Sequence, residues 1–282
     1  MLPFESPIAT PSKVFGSVQM APAAHRKRVA VLLERLACTG EFCIQSGELY
    51  MSADCGIVIV AGGSGARMGG GDVPKQFRHL RDLPLFLWSV QFFDQQDSVS
   101  KIVIVVPQAH LETARRLCAE RTLLHPIHCV AGGRRRQDSV MAGLKALDEA
   151  SELVAVHDGA RPFPPPNFEE ALEFARVDGA AIFALPVTDS IKRAECGAIR
   201  ESVSRDDLWA AQTPQLFRKA LLIEALEKCD ADKIEVSDDA SAVEHLVRTV
   251  RIVEGSRSNL KVTVPDDWIL AAALAADHEV LG

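Results

Sequence analysis

The sequence predicts an α/β fold, a mostly parallel twisted sheet covered by helices on both faces. Three observations carry that expectation. Short β-branched apolar runs recur from Ile57 onward, stretches of helical periodicity alternate with them, and polar or glycine-rich loops follow them at 61–75, 132–139 and 158–162. Strands and helices in alternation require crossover connections, which set neighbouring strands parallel and bury both faces of the sheet. Ligands of such sheets bind beyond the carboxyl ends of the strands, the edge on which all three loops fall.

Each element has its own signal. Ile57-Val58-Ile59-Val60 is a continuous apolar run ending in glycines, as a buried parallel strand would be. Residues 84–95 read as a helix and 101–106 as the next strand. Helices at 109–121, 136–149 and 167–177 precede strands at 127–130, 153–157 and 180–185. The pattern then loosens, and 190–204 alternates as paired or exposed strands do. It re-forms as helices near 218–228, 239–247 and 266–276, with strands near 249–253 and 259–264.

Residues 1–56 read as an N-terminal extension ahead of a domain at 57–282. The first 24 are rich in Pro, Ala and Ser, and 29–36 places apolar residues on one face of a short helix. Five apolar residues before Glu34 are too few for a secretory signal. Residues 1–33 carry one acid, Glu5, and several bases, which admits an organellar transit peptide. The plainer readings are an accessory extension or a domain that begins at Met51.

Composition narrows the function classes. Apolar residues make up 48% of the chain, enough for a sizeable core. Thirty-one bases against 38 acids leave a formal charge of −7, which argues against a nucleic-acid partner. An odd count of seven cysteines without repeating spacing suits reduced, packed thiols of a cytoplasmic protein. No apolar run approaches the length of a membrane span.

The first loop holds the densest chemistry. It reads Ala61-Gly62-Gly63-Ser64-Gly65-Ala66-Arg67-Met68 and continues to Pro74-Lys75-Gln76, with six glycines between positions 62 and 71. Glycines let backbone N–H groups converge on an anion. The loop is no Walker A motif, because Gln76 follows Lys75, and no dinucleotide fingerprint, because Met68 stands where the third glycine belongs. Arg67 and Lys75 bracket the glycines, which suits a polyphosphate whose α-phosphorus gains charge during attack. Asp158 ends a strand at the same edge. It either holds Mg²⁺ or another divalent cation against a triphosphate or only caps its loop.

The later motifs continue in order: Gly132-Gly133-Arg134-Arg135-Arg136-Gln137-Asp138-Ser139, His157-Asp158-Gly159-Ala160-Arg161-Pro162, Thr188-Asp189-Ser190-Ile191-Lys192-Arg193, Ala211-Gln212-Thr213-Pro214-Gln215, Asp238-Asp239-Ala240-Ser241 and Asn259-Leu260-Lys261-Val262-Thr263. With the first loop they resemble the sugar-phosphate nucleotidyltransferases. Within these they are similar to the 2-C-methyl-D-erythritol 4-phosphate cytidylyltransferase family of the non-mevalonate isoprenoid pathway. The resemblance covers about residues 57–275.

It implies a Rossmann-like nucleotidyltransferase fold with a protruding β-arm, about 187–206, through which a homodimer forms. It implies CTP and methylerythritol phosphate as substrates, with Arg67, Lys75 and Lys261 as catalytic cations. Ala61, Gly62, Gly63, Gly65, Gly133, Ser139 and Asp158 fall at nucleotide positions, Asp158 also at the metal. Arg161, Ser190, Arg205, Thr213, Ser237 and Lys261 fall around the acceptor, with Ser190 and Arg205 entering the neighbouring subunit's site. His157 reads as structural. Ribitol-5-phosphate is the rival acceptor, and a non-catalytic nucleotide-binding scaffold the rival class. The chain departs from the family at Arg134 and Ser258, where acids are common, and at Ser190 and Ser237, which replace threonines. The run Arg134-Arg135-Arg136 makes the second loop unusually basic for the family.

Overall fold

The computed structural model describes residues 53–63 and 73–281. The expected helix at 29–36 and the loop residues Gly65 and Arg67 lie outside the described residues. The chain divides into two units, Met1–Tyr50 and Met51–Gly282, and the described residues all belong to the second.

The elements run β1 (Cys55–Val60), a short hairpin of β2 (His79–Leu80) and β3 (Leu83–Pro84), α1 (Leu85–Asp94), β4 (Val99–Val106) and α2 (Leu111–Ala119). Next come β5 (Ile127–Ala131), α3 (Arg136–Ala146), β6 (Leu153–Asp158), α4 (Phe168–Asp178) and β7 (Ala180–Pro186). The hairpin β8 (Ile191–Glu195) and β9 (Ala198–Val203) precedes β10 (Trp209–Arg218), α5 (Lys219–Ala231), α6 (Asp239–His245), β11 (Arg251–Glu254) and α7 (Pro265–Leu281).

Seven strands form one sheet in the order β11-β7-β10-β6-β1-β4-β5. Every pairing in it is parallel except those of β10, which is antiparallel to both β6 and β7. The strand period of two divides the core between the faces. Ile57, Ile59, Ile102 and Ile104 pack with Phe86, Phe93 and Phe168 on one side. Val58, Val103, Val105 and Val156 pack with Leu144, Leu222 and Leu226 on the other. Because Val60 pairs with both Val105 and Asp158, the loops after β1 and β6 leave the sheet at one level.

One strand was not anticipated by the sequence, and one expected strand is absent. Residues 209–218 form a full strand at the sheet's centre, although Pro214 and the polar Gln212, Thr213 and Gln215 gave no strand signal. Residues 259–264 form no strand; their backbone groups bond to loops instead, as when Val262 N–H donates to the Ala160 carbonyl at 2.9 Å. The loose stretch at 190–204 is the β8–β9 hairpin, turning through Cys196 and Gly197, both at positive φ. Two positive-φ residues suit the right-handed twist of a two-residue hairpin.

Helix α3 carries a site loop at its N-terminus, so its seat on the sheet fixes that loop. The seat depends on Gly143, where an added Cβ would lie 2.4 Å from Val58 Cγ1 and 3.0 Å from Val105 Cγ2. Both valines are fully buried and cannot swing aside. Gly143→Ala is therefore expected to destabilise by about 1–3 kcal/mol through overpacking. That outweighs the gain of at most about 1 kcal/mol that alanine brings to a helix. Urea unfolding checks the sign: a variant as stable as the parent would mean that α3 is not seated this closely.

Candidate active site

Asp158 ends β6 with a carboxylate that is largely buried and doubly paired. Its Oδ2 lies 2.7 Å from Lys261 Nζ and its Oδ1 3.6 Å from Arg136 Nη2. Burial pushes the carboxyl's pKa up. Arg136, Lys261 and Arg161 together overcome it and hold the group well below the usual carboxylate range. Arg136 is shared, because its Nη2 also lies 2.8 Å from Oδ2 of the buried Asp239. Burial raises the pKa of Asp239, and its Oδ1 has no hydrogen-bond partner. Asp239, Arg136, Asp158 and Lys261 thus form a chain of alternating charge.

Neutral groups hold this chain in place. His157 is fully buried, with Nε2 2.8 Å from the Arg161 carbonyl and Nδ1 3.2 Å from the Thr213 hydroxyl. A carbonyl only accepts, so Nε2 carries the proton and Nδ1 accepts from Thr213. Thr213 Oγ1 also accepts the Asp158 backbone N–H at 3.0 Å, so the hydroxyl expected at the acceptor is committed to the scaffold. Arg161 donates to the Asn259 carbonyl at 2.6 Å. Asn259 in turn donates to Gln212 Oε1 at 3.1 Å and to the Thr213 carbonyl at 2.8 Å.

The first loop meets the same neighbourhood. Lys75 Nζ donates to the Val262 carbonyl at 2.6 Å, one residue from Lys261. Gln76 is buried and donates to the carbonyls of Ala61 at 2.6 Å and Gly63 at 3.2 Å, which ties both ends of the glycine loop together. Ala61 is buried, and Gly62 and Gly63 are exposed at the strand end. In the second loop Gly133 N–H donates to the Ser139 hydroxyl at 3.2 Å, so Ser139 pins the loop to the first turn of α3. The arginine run is less basic than it reads. Arg135 pairs with Asp138 at 2.5 Å and Asp230 at 2.7 Å, and Arg136 with Asp239, leaving Arg134 exposed.

The residues expected at the acceptor divide. Arg161, Thr213 and Lys261 surround Asp158 as described. Ser237 is exposed and bonds to Ser241 at 3.3 Å. It precedes a turn gripped by Gln215, whose Nε2 donates to Asp238 Oδ2 at 2.8 Å and whose Oε1 accepts the N–H groups of Asp239 and Ala240, each at 3.0 Å. Ser190 and Arg205 are exposed at the foot of the arm, where Arg205 donates to the Thr188 carbonyl. Among the described residues no hydrogen bond or ion pair links them to the Asp158 cluster. Sequence reasoning gave no role to Gln76, Arg136, Gln215, Asp239 or Asn259. All stand inside the quoted motifs, beside the residues that were assigned.

Burial lowers the His157 pKa to about 4, against the hydrogen bond to the Arg161 carbonyl and the nearby Asp158 charge. An unfolded histidine titrates near 6.5, so between those values the unfolded chain binds a proton that the native chain excludes. The stability contributed is fully present above about pH 6.5 and falls as pH drops toward 4, by about 3 kcal/mol in all. His157→Gln, which retains a side-chain amide donor, should flatten the pH dependence of urea unfolding in that window. An unchanged slope would remove His157 as its source.

The IspD sequence profile, 2-C-methyl-D-erythritol 4-phosphate cytidylyltransferase, matches residues 55–276. A protein of that name from Bacillus licheniformis is 40% identical over 219 residues, 77% of this chain and 94% of its own length. A rice protein of that name, designated chloroplastic, is 37% identical over 261 residues, 92% of this chain and 86% of its own. Of the solved structures, the 2-C-methyl-D-erythritol 4-phosphate cytidylyltransferase of Thermus thermophilus is similar at a TM-score of 0.63 and 33% identity, covering 78% of this chain and 98% of that one. The 4-diphosphocytidyl-2C-methyl-D-erythritol synthase of Anaerococcus prevotii is similar at 0.68 and 27% identity, covering 79% and 96%. On sequence and on fold alike, the chain belongs to the 2-C-methyl-D-erythritol 4-phosphate cytidylyltransferase family.

Proposed function

We propose that the chain transfers the cytidylyl group of CTP to 2-C-methyl-D-erythritol 4-phosphate, giving 4-diphosphocytidyl-2-C-methyl-D-erythritol and pyrophosphate for isoprenoid synthesis. Family membership over residues 55–276 supports the reaction. The observation that carries it into chemistry is the Asp158–Lys261 pair at the carboxyl end of β6. An acceptor phosphate oxygen attacks the α-phosphorus in line, and the bond to the pyrophosphate oxygen breaks. The acceptor phosphate is already ionised, so no general base is needed, in keeping with a buried neutral His157. Positioning and electrostatics supply the catalysis.

In this reading Gly62, Gly63 and Gly65 offer backbone N–H groups to the triphosphate. Arg67 and Lys75 stabilise the charge that develops as pyrophosphate leaves, and Lys261 does so at the α-phosphate. Gly133 and Ser139 shape the cytosine end. Arg161, Lys261 and Ser237, with Ser190 and Arg205 of a second copy, orient the acceptor, and Thr213 acts by fixing Asp158.

Asp158 suits a divalent cation. Its carboxylate is ionised, and Oδ1 has only the longer contact with Arg136. Mg²⁺ favours such a site, with one or two carboxylates and the remaining ligands from phosphate and water. When bound, the ion would offset triphosphate charge.

The homodimer is part of the proposal. Its support is the exposed β8–β9 arm, where Ile199 is 66% and Trp209, just beyond it, 42% exposed, and the lack, among the described residues, of any bond from Ser190 or Arg205 to the cluster. Ribitol-5-phosphate is the acceptor to compare. We read the location as cytoplasmic, with organellar import as the alternative. The rice alignment is longer than the stretch from Cys55 onward and so reaches into the extension. No helix among the described residues is long and apolar enough to cross a membrane.

Two measurements test these assignments. Lys75→Ala should lower CTP-dependent pyrophosphate release with methylerythritol phosphate by about a hundredfold or more, the scale of losing a transition-state donor. Near-parental turnover would reject the role, and faster turnover with ribitol-5-phosphate would replace the acceptor. Mixing Lys75→Ala with Arg205→Ala chains and allowing subunit exchange should restore activity that neither variant shows alone. Failure to restore it in confirmed mixed dimers would confine Arg205 to its own subunit.

A further inference from the structure

Two thiols meet in a part of the fold that the transfer reaction does not use. Cys118 lies in the last turn of α2 and Cys129 in the middle of β5, and their sulfurs share a hydrogen bond of 3.9 Å. Each residue is 8% exposed. Both line a cavity of about 640 Å³, which Arg115, Arg121, His125 and His128 also wall. Sequence spacing points only to reduced, packed cysteines, since the pair is assembled by the fold, which brings β5 under α2.

The surroundings make the two sulfurs unequal. Cys129 S–H donates to Cys118 Sγ; once Cys129 ionises, the Cys118 S–H turns to its thiolate, and with Arg115 nearby the Cys129 pKa falls below the ordinary thiol value although burial opposes it. Cys118, whose own proton then serves Cys129 and which is buried besides, is pushed up. One sulfur is therefore set to attack and the other to follow, in a cavity that admits a small oxidant.

We propose that Cys118 and Cys129 are a redox-active dithiol that closes to a disulfide on meeting a hydroperoxide, and that the closed form binds CTP more weakly. The Cys129 thiolate attacks the terminal peroxide oxygen, and the O–O bond breaks. The leaving alkoxide or hydroxide takes up the proton that Cys129 gave up, and a sulfenic acid remains. Cys118 then attacks that sulfur, the S–S bond forms, the S–O bond breaks, and hydroxide leaves with the Cys118 proton as water. Two electrons pass from the two sulfurs to the peroxide.

Closure draws the sulfurs from 3.9 Å to about 2.05 Å. Among the described residues β5 sits at the edge of the sheet and pairs with β4 alone, so it is the strand with room to yield. Its end leads straight into Gly132, whose N–H donates to the Val106 carbonyl at 2.8 Å, and Gly133, held by Ser139. A pull on β5 therefore reaches the second loop. This consequence rests on the nucleotide role proposed above for Gly133 and Ser139.

The test uses the full chain carrying Cys196→Ser, which removes an exposed thiol. The protein is treated with hydrogen peroxide, its remaining thiols are alkylated, and its peptides are mapped by mass spectrometry. Calorimetry then gives the CTP dissociation constant of the reduced and oxidised forms. The expected result is a Cys118–Cys129 link that a dithiol reductant reverses, with a several-fold weaker CTP affinity while it lasts. Cys118→Ser should instead leave a sulfenic acid on Cys129 that a dimedone-type probe traps. Absence of the link, or absence of a probe adduct on Cys129 in Cys118→Ser, overturns the dithiol. A link that leaves CTP affinity unchanged overturns the coupling. A reduced protein that does not bind CTP defeats the parent reading alone, since the peptide map is read independently.

Discussion

Asp158 keeps a negative charge where burial would neutralise it, and the site is arranged around that one carboxylate. Three cations hold it ionised, and they arrive from three segments: Arg136 from the start of α3, Arg161 from the turn after β6, and Lys261 from the segment before α7. Stripping one partner from a buried pair typically costs about 3–5 kcal/mol, because the other charge is left uncompensated. The same charge thus disciplines three loops that share no secondary structure. With Asp239 and Asp238 counted, three carboxylates answer these three cations, so the resting cluster is close to balanced in charge.

The groups that orient the cluster are mostly neutral, and their neutrality matters. Gln76, Gln212, Gln215, Asn259 and Thr213 satisfy backbone polar groups of the strands, turns and helix start around the cluster without adding charge that would compete for a phosphate. Strand β10 makes this possible. It runs antiparallel between β6 and β7, and its register with β7 shifts between Ala211 and Gln215. That irregularity lets Gln212 and Thr213 leave the ladder and serve the site, as bulges beside functional sites commonly do.

Much of the fold was legible because buried parallel strands write themselves as β-branched runs. The strands β1, β4, β6 and β7 lie within a few residues of where periodicity places them. Strand β10 was not legible for the reason that makes it useful: it carries Pro214 and three polar side chains whose partners are remote in sequence. The segment 259–264 misled in the opposite way. Leu260, Val262 and Val264 alternate like a strand, but the backbone there bonds to loops and receives Lys75 and Arg161. In the site, Asp158 and Lys261 could be marked by motif, whereas the bridging of Arg136 between two carboxylates depends on α3 and α6 meeting across a loop. Among Arg134, Arg135 and Arg136 the sequence shows three like charges; only the fold shows that two of them are answered by acids.

The two halves of the site are built differently, and this bears on how the reaction would be assembled. The half proposed for the nucleotide hangs on strand ends whose register is fixed by a buried sheet, with Gln76 and Ser139 pinning the loops that leave it. The half proposed for the acceptor is scattered. Lys261 and Arg161 belong to the Asp158 cluster, Ser237 stands beside the turn that Gln215 grips, and Ser190 and Arg205 stand at the foot of the arm. That foot is itself closed, by Val187 N–H on the Leu208 carbonyl at 2.9 Å and by Arg205 on the Thr188 carbonyl. In the dimer proposed above, its charged and hydroxyl groups would serve a second copy, whose nucleotide half would already be in place. On that reading the sheet of one chain sets the phosphorus, and the arm of the other closes the acceptor against it.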